Sequence, residues 1–237
     1  MYKNAIIIIS CALVALVGCA GLTKSGSAEG SDALEMVRDI RVPASHAGPL
    51  YTVYWSDKAI KATGPVNTGK KNGTWKLYFP GTEGRSLQAE VTFRYDVVDG
   101  KFKEYYPSGR LKVETDYRNG TRSGRHMLYY ENGVGKLEEY YRDGVKNGKS
   151  FDYYENGYTR ENAYFKEGVR DGMSSSFYEN GKRKAVGRYA GGKKNGRWEF
   201  FSPEGILTSR GSYVNDRKSG VWTYYDESGK KEERSYN

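Results

Sequence analysis

The chain has 237 residues, of which 30 are Gly, 22 are Tyr and only 37% are apolar, with a net charge of +9. Disordered chains share the low apolar content but are poor in aromatics, whereas 14% of this chain is Phe, Trp or Tyr. Two Cys and two His nearly exclude a catalytic centre built on those side chains. The irregular Gly spacing excludes collagen, and a single apolar run excludes a multi-span membrane protein.

That run, Ala5 to Val17, follows Lys3 and is broken only by Ser10 and Cys11. It is too short to span a bilayer as a helix and fits a secretory h-region. Its end, Leu16-Val17-Gly18-Cys19, resembles a bacterial lipobox. The resemblance implies cleavage after residue 18, a diacylglycerol thioether on Cys19 and further acyl chains such as palmitate. Two or three chains anchor firmly where one would not. Cleavage removes Lys3 and leaves a charge of +8. Ala20, in place of Asp, implies an outer-membrane address in a cell with two membranes. Residues 19–48 are expected to be the lipidated Cys and a flexible tether, small and polar over 20–31. A short helix over Asp32–Arg41 has Asp32 as its cap.

Residues 49–237 carry a repeat. Gly73, Gly100, Gly124, Gly148, Gly172, Gly196 and Gly220 are spaced by 27 residues and then by 24 throughout. Five residues after them stand Tyr78, Tyr105, Tyr129, Tyr153, Phe177, Phe201 and Tyr225. Nine after the last six stand the turn glycines Gly109, Gly133, Gly157, Gly181, Gly205 and Gly229. A third column is Tyr117, Tyr141, Phe165, Tyr189 and Tyr213, and Tyr54 belongs to a degenerate opening unit. Two turn signals divide each unit. Asn-Gly at 132–133, 156–157 and 180–181 predicts a two-residue hairpin turn, and the segment from Asn119-Gly120 to Gly124 predicts a longer one. Each unit is then a hairpin of two strands of about six residues. The array is an all-β, elongated, single-layer antiparallel meander of about seven and a half units. A two-residue turn pairs Leu128 with Leu137 and puts Trp198, Phe200 and Tyr213 on one face, with the column from Tyr105 to Tyr225 on the other.

These columns, with Gly196-Arg197-Trp198, Gly220-Val221-Trp222 and Tyr-Tyr-x-Asn-Gly, resemble the MORN-type repeat, and more closely its bacterial variant in YwqK-like proteins. The resemblance covers about residues 50–237. It implies a binding or scaffold role, and for the YwqK-like variant an antitoxin. Trp occurs at 75, 198 and 222, whereas Phe102, His126, Ser150 and Ser174 depart from the pattern.

Little points to chemistry. Gly64 to Lys71 nearly matches a phosphate-binding loop, but Lys71 stands where a Ser or Thr hydroxyl is needed. His46 and His126 lack neighbouring ligands, and Glu131, Glu155 and Glu179 recur at turns. No enzyme, cofactor or metal is expected. Lys70-Lys71, Arg122, Arg125, Lys193-Lys194 and Arg217-Lys218 form a charged turn edge, solvated or facing an anionic envelope surface. Export excludes nucleic acid as the partner. The expected function is a lipid-anchored, non-enzymatic module binding an unknown protein at the cell envelope. A toxin-neutralising lipoprotein and a membrane-surface or cell-wall binding module are the alternatives. Trp198, Trp222 and Trp75 are the candidate partner anchors. Lys230-Lys231-Glu232-Glu233-Arg234 reads as protection of the C-terminal sheet edge.

Overall fold

The computed structural model describes residues 31–237; Cys19 and the signal sequence lie outside the described residues. A helix, α1 (Ser31–Arg38), precedes β1 (Leu50–Tyr54), β2 (Ile60–Asn67), β3 (Lys70–Lys71), β4 (Gly73–Tyr78), β5 (Leu87–Arg94) and β6 (Val97–Tyr105). Then come β7 (Leu111–Arg118), β8 (Thr121–Tyr129), β9 (Gly135–Arg142), β10 (Val145–Tyr153), β11 (Thr159–Lys166), β12 (Val169–Arg170) and β13 (Gly172–Phe177). The series closes with β14 (Arg183–Ala190), β15 (Lys193–Phe201), β16 (Leu207–Val214), β17 (Arg217–Tyr225) and β18 (Lys231–Tyr236). Apart from the two-residue β3 and β12, each strand pairs antiparallel with the next in sequence, so the sheet is one open meander. Two of the 18 strands are very short: β3 and β4 both pair with β2, and β12 and β13 both pair with β11.

The two turn lengths are the reverse of those expected. Asn119 and Gly120 have φ of 47° and 83° and close a two-residue turn between Arg118 and Thr121. This mirror-image turn matches the twist of the flanking strands, and Asn and Gly tolerate positive φ. The surplus residues before His126 are taken up by a bulge around Gly124, whose φ is 111°. The ladder therefore runs up to the turn, and β7 and β8 reach 8 and 9 residues rather than six. At the other end, Glu131-Asn132-Gly133 is a three-residue loop in which Tyr130 N donates to Val134 O and Gly133 N to Tyr130 O. A three-residue loop alone would reverse the faces. A second bulge, between Tyr129↔Gly135 and Leu128↔Leu137, cancels the offset and keeps the expected register.

The segment expected as a tether contains α1, which docks on the sheet. Ala33, Leu34 and Val37, with Ile40 beyond the helix, are buried against Trp75, Leu77, Ala89, Val91, Phe93, Phe102 and Val113. The array is single-layered except where this short apolar stripe covers the first units. Lys71 locks the helix in place. Its ammonium donates to the carbonyls of Val37, Arg38 and Ile40 at 3.0, 2.8 and 3.0 Å. These are acceptors at a helix C-terminus, where the backbone presents negative partial charge. Lys71 is 2% exposed. Burial lowers its pKa, against the pull of Asp96. The loop that nearly matched a phosphate-binding motif thus supplies a helix clamp.

Candidate functional site

One face of the sheet carries three columns. The first holds Trp75, Phe102, His126, Ser150, Ser174, Trp198 and Trp222, two residues after each unit glycine. All seven are buried, with the three tryptophans 0%, 4% and 1% exposed. Expected as exposed anchors, the tryptophans instead pack inside the sheet. Each indole lies over a glycine of the neighbouring paired strand: Trp75 over Gly64, Trp198 over Gly187 and Trp222 over Gly211. Each indole N–H donates to a carbonyl of that strand, of Pro65, Arg188 or Ser212. A side chain grown from any of these glycines would enter the indole, so they supply space rather than flexibility. In the middle units the two positions trade volume. Val91 stands with Phe102, Thr115 with His126, and Glu139 with Ser150.

The second column is Tyr117, Tyr141, Phe165, Tyr189 and Tyr213 on the same face. Tyr213 and Trp222 meet edge to face at 5.0 Å. One further repeat period from Tyr213 would reach Asn237, but the last hairpin lacks the compensating bulge and pairs Trp222 with Arg234. That one-residue slip brings Tyr236 into the aromatic row, with its hydroxyl 2.8 Å from that of Tyr224.

The third column is cationic: Arg122, Lys146, Arg170, Lys194 and Lys218, each one repeat period from the last. Lys71 opens the row and Val98 interrupts it. Sequence reasoning placed most of these in a solvated turn edge and omitted Lys146 and Arg170. The recurrence of a cation at the repeat period was the available signal. Their heads lie over rings: Lys146 Nζ is 3.6 Å from the centroid of Phe165, Lys194 4.8 Å from Trp198, and Lys218 4.5 Å from Trp222. Lys146 also donates to Glu139 at 2.5 Å, and Arg170 grips Glu161 with two bonds of 2.6 Å. Burial pushes the Glu139 carboxyl up, but the Lys146 and Tyr141 hydrogen bonds outweigh it and hold it below the usual range. The Tyr141 hydroxyl is pushed up to about 12 by burial and by its bond to Glu139. The ammonium groups of Lys194 and Lys218 make no salt bridge among the described residues; that of Lys218 donates to the Tyr224 hydroxyl at 2.7 Å. The face therefore changes along the array: helix-covered at the start, ion-paired in the middle, and aromatic with uncompensated cations at the end.

His126 illustrates the middle section. It is 3% exposed, with Nδ1 2.7 Å from Thr115 Oγ1. Burial, then the Arg122 charge, depress its pKa to about 4. The unfolded group titrates near pH ~6.5. The folded state thus excludes a proton that the unfolded state binds. Stability is full above pH ~6.5 and is lost as the pH falls toward 4, by about 3 kcal/mol. Urea titrations from pH 7 to 4 are expected to show this loss in the wild type and a much shallower one in His126→Phe. Equal slopes would refute the assignment. His46 lies apart, edge-on to Tyr51 at 5.0 Å.

The column from Tyr105 to Tyr225 lies on the opposite face, as expected, with Tyr78 in line and every ring half-buried; Tyr105 donates to Glu90 at 2.9 Å. Burial and that bond push the Tyr105 hydroxyl up to about 12. Gly109, Gly133, Gly157, Gly181, Gly205 and Gly229 occupy the left-handed position of the three-residue loops, with φ between 80° and 90°. The expected edge protection falls on β18, the outermost strand, where Arg234 pairs with Glu232 at 2.8 Å.

A protein-family model described as a MORN repeat variant matches residues 98–119, 194–215 and 218–237. No curated protein matches the chain. Among solved structures, a chain of the Glycosylation Associate Protein (Gap123) complex from Streptococcus agalactiae is 15% identical over 44% of this chain and 19% of its own, with a TM-score of 0.28. That likeness is too distant to bear on fold or function. The family matches open at Val98, Lys194 and Lys218, two residues before a unit glycine and in register with the cationic column. With the hairpin geometry they support MORN-type repeats over those three stretches of the chain.

Proposed function

We propose that the protein is an exported, lipid-anchored, non-enzymatic repeat module that presents its sheet to a protein partner at the cell envelope. The carrying observation is the contrast along one face. α1 covers the first units, while Phe200, Tyr213 and Tyr224, with Lys194 and Lys218, stay half-exposed at the far end. Aromatic rings supply contact area at low entropic cost, and an uncompensated cation over a ring suits a partner bearing carboxylates or carbonyls. The anchor reading is supported by the run Ala5–Val17 and by Leu16-Val17-Gly18-Cys19. Cys19→Ser is expected to leave an unprocessed precursor that takes up no labelled fatty acid. Labelling and fractionation like the wild type would overturn the anchor. Photo-cross-linking groups at Phe200 and Tyr213 are expected to capture one protein in intact envelopes, and a group at Lys103 on the opposite face is not. Equal capture from both faces would overturn the binding surface.

A further inference from the structure

The hairpin loops of successive units are tied by a ladder at one edge of the sheet. The hydroxyls of Tyr106, Tyr130, Tyr154 and Tyr178 donate to the carbonyls of Tyr129, Tyr153, Phe177 and Phe201 at 2.8 to 2.9 Å. Each rung reaches forward into the next unit. Beside three of them the amides of Asn132, Asn156 and Asn180 donate to the carbonyls of Glu155, Glu179 and Pro203 at 3.0, 2.9 and 2.8 Å. A cation lies over some of the rings: Lys136 over Tyr130 at 5.7 Å and Lys184 over Tyr178 at 5.6 Å. Ring, amide and cation thus recur together at the repeat period.

All three are lost at a single step. Moving on one period from Tyr178, Asn180 and Lys184 gives Ser202, Glu204 and Thr208. A cavity of about 580 Å³ opens there, with Ser202, Glu204, Ile206, Thr208, Tyr225 and Asp226 among its lining residues. Continuing the reach of the other rungs, the acceptor at this step is the Tyr225 carbonyl. Ile206, 55% exposed, supplies an apolar wall. The Ser202 hydroxyl turns back into its own loop and accepts from Glu204 N at 3.2 Å, so it does not fill the space. Glu204, Asp226 and Glu227 line the rim with carboxylates, and Thr208 stands where the other steps carry Lys136 or Lys184, while Lys182 Nζ donates to the Glu204 carbonyl at 2.9 Å.

We propose that this vacated rung is a binding slot for a tyrosine side chain of a partner protein, its phenol donating to the Tyr225 carbonyl and an adjacent basic residue facing the acidic rim. The proposal rests on the protein-binding reading above and names the side chain that such a partner inserts. The array supplies its own precedent, because four rungs hold the same ring against the same kind of carbonyl. A phenol in a slot shaped by its neighbours fixes register as well as affinity, since the ladder from Tyr106 to Tyr178 is closed at every earlier rung.

The probe is N-acetyl-tyrosyl-lysinamide, titrated into the full chain while the methyl resonances of Ile206, Leu207 and Thr208 are followed by NMR. Saturable shifts at millimolar concentration are expected, with the phenylalanine analogue about fivefold weaker for want of the hydroxyl. Ser202→Tyr is expected to fill the slot from within, abolishing the shifts and raising the melting temperature. Ser202→Ala, which adds no ring, should bind the probe as the wild type does. Absence of saturable shifts, equal affinity for the phenylalanine analogue, or unchanged binding to Ser202→Tyr would each overturn the slot. Envelope cross-linking from Phe200 reads the module separately. If the probe fails while cross-linking persists equally in Ser202→Tyr, the slot falls and the module reading stands. If the probe binds as described and no envelope protein is cross-linked, the slot stands and the module reading falls.

Discussion

Gly211→Val is expected to destabilise the protein by about 3 kcal/mol, although valine is the better strand former, because its side chain would occupy the volume of the Trp222 indole. Trp222→Phe alone is expected to cost about 1–2 kcal/mol, from a partly filled cavity and the lost N–H bond to the Ser212 carbonyl at 3.0 Å. The double substitution reproduces the pair that Val91 and Phe102 already make elsewhere in the array. It is expected to cost about as much as Trp222→Phe alone, a coupling of about 3 kcal/mol in a double-mutant cycle. Additive losses in urea melts would show that the two positions do not share one volume. The cycle also separates packing from recognition, because a surface tryptophan would not couple to the glycine beneath it.

Lys71→Met carries the second large effect. Methionine keeps the apolar stem but removes three donors, leaving the carbonyls of Val37, Arg38 and Ile40 without them beside Trp75 and Phe93. Losing a charged donor to buried acceptors costs about 3 kcal/mol or more, partly recovered if α1 leaves the sheet and water reaches its carbonyls. Hydrogen exchange is therefore expected to accelerate by tenfold or more over residues 33–41, with little change in β7 to β18. Since α1 covers the first units, its release should also expose Leu77, Val91 and Phe93 to a hydrophobic dye. Unchanged exchange in α1 would mean that its apolar stripe alone holds it.

Much of the architecture was legible in the sequence, because a single-layer sheet repeats its side chains at the period of its backbone. The Gly and aromatic columns gave the unit, and Leu128 beside Leu137 gave the register. The turns were misread for a physical reason. A bulge takes up residues without interrupting a strand, so the distance from Asn119 to Gly124 looked like loop, and the bulge after Gly133 hid a three-residue turn. The exposure of the tryptophans was misread because their covering partner is an absence of side chain. Gly64, Gly187 and Gly211 stand eleven residues before Trp75, Trp198 and Trp222, a correlation internal to the sequence. The docking of α1 was hidden by its shortness, and Lys71 by the ordinary expectation that a turn lysine is solvated. The opening at Ser202 was legible as a break in the Tyr column at 106, 130, 154 and 178, but only the hydrogen bonds of the intact rungs say what the missing group did.

The chain is a linear array of interchangeable hairpins stabilised by nearest neighbours, and one pair of deletions tests that most directly. Deleting Gly148–Asp171 removes one whole repeat, keeps every turn in phase and takes out Glu161 and Arg170 together, while Lys146 keeps Glu139. Deleting only residues 148–159 removes half a unit and sends the following strands back in the wrong direction. The first variant is expected to keep the β-sheet circular dichroism and cooperative melt of the parent, with a midpoint within several degrees. The second is expected to lose the cooperative transition. Equal melting of the two, or collapse of the first, would contradict the array.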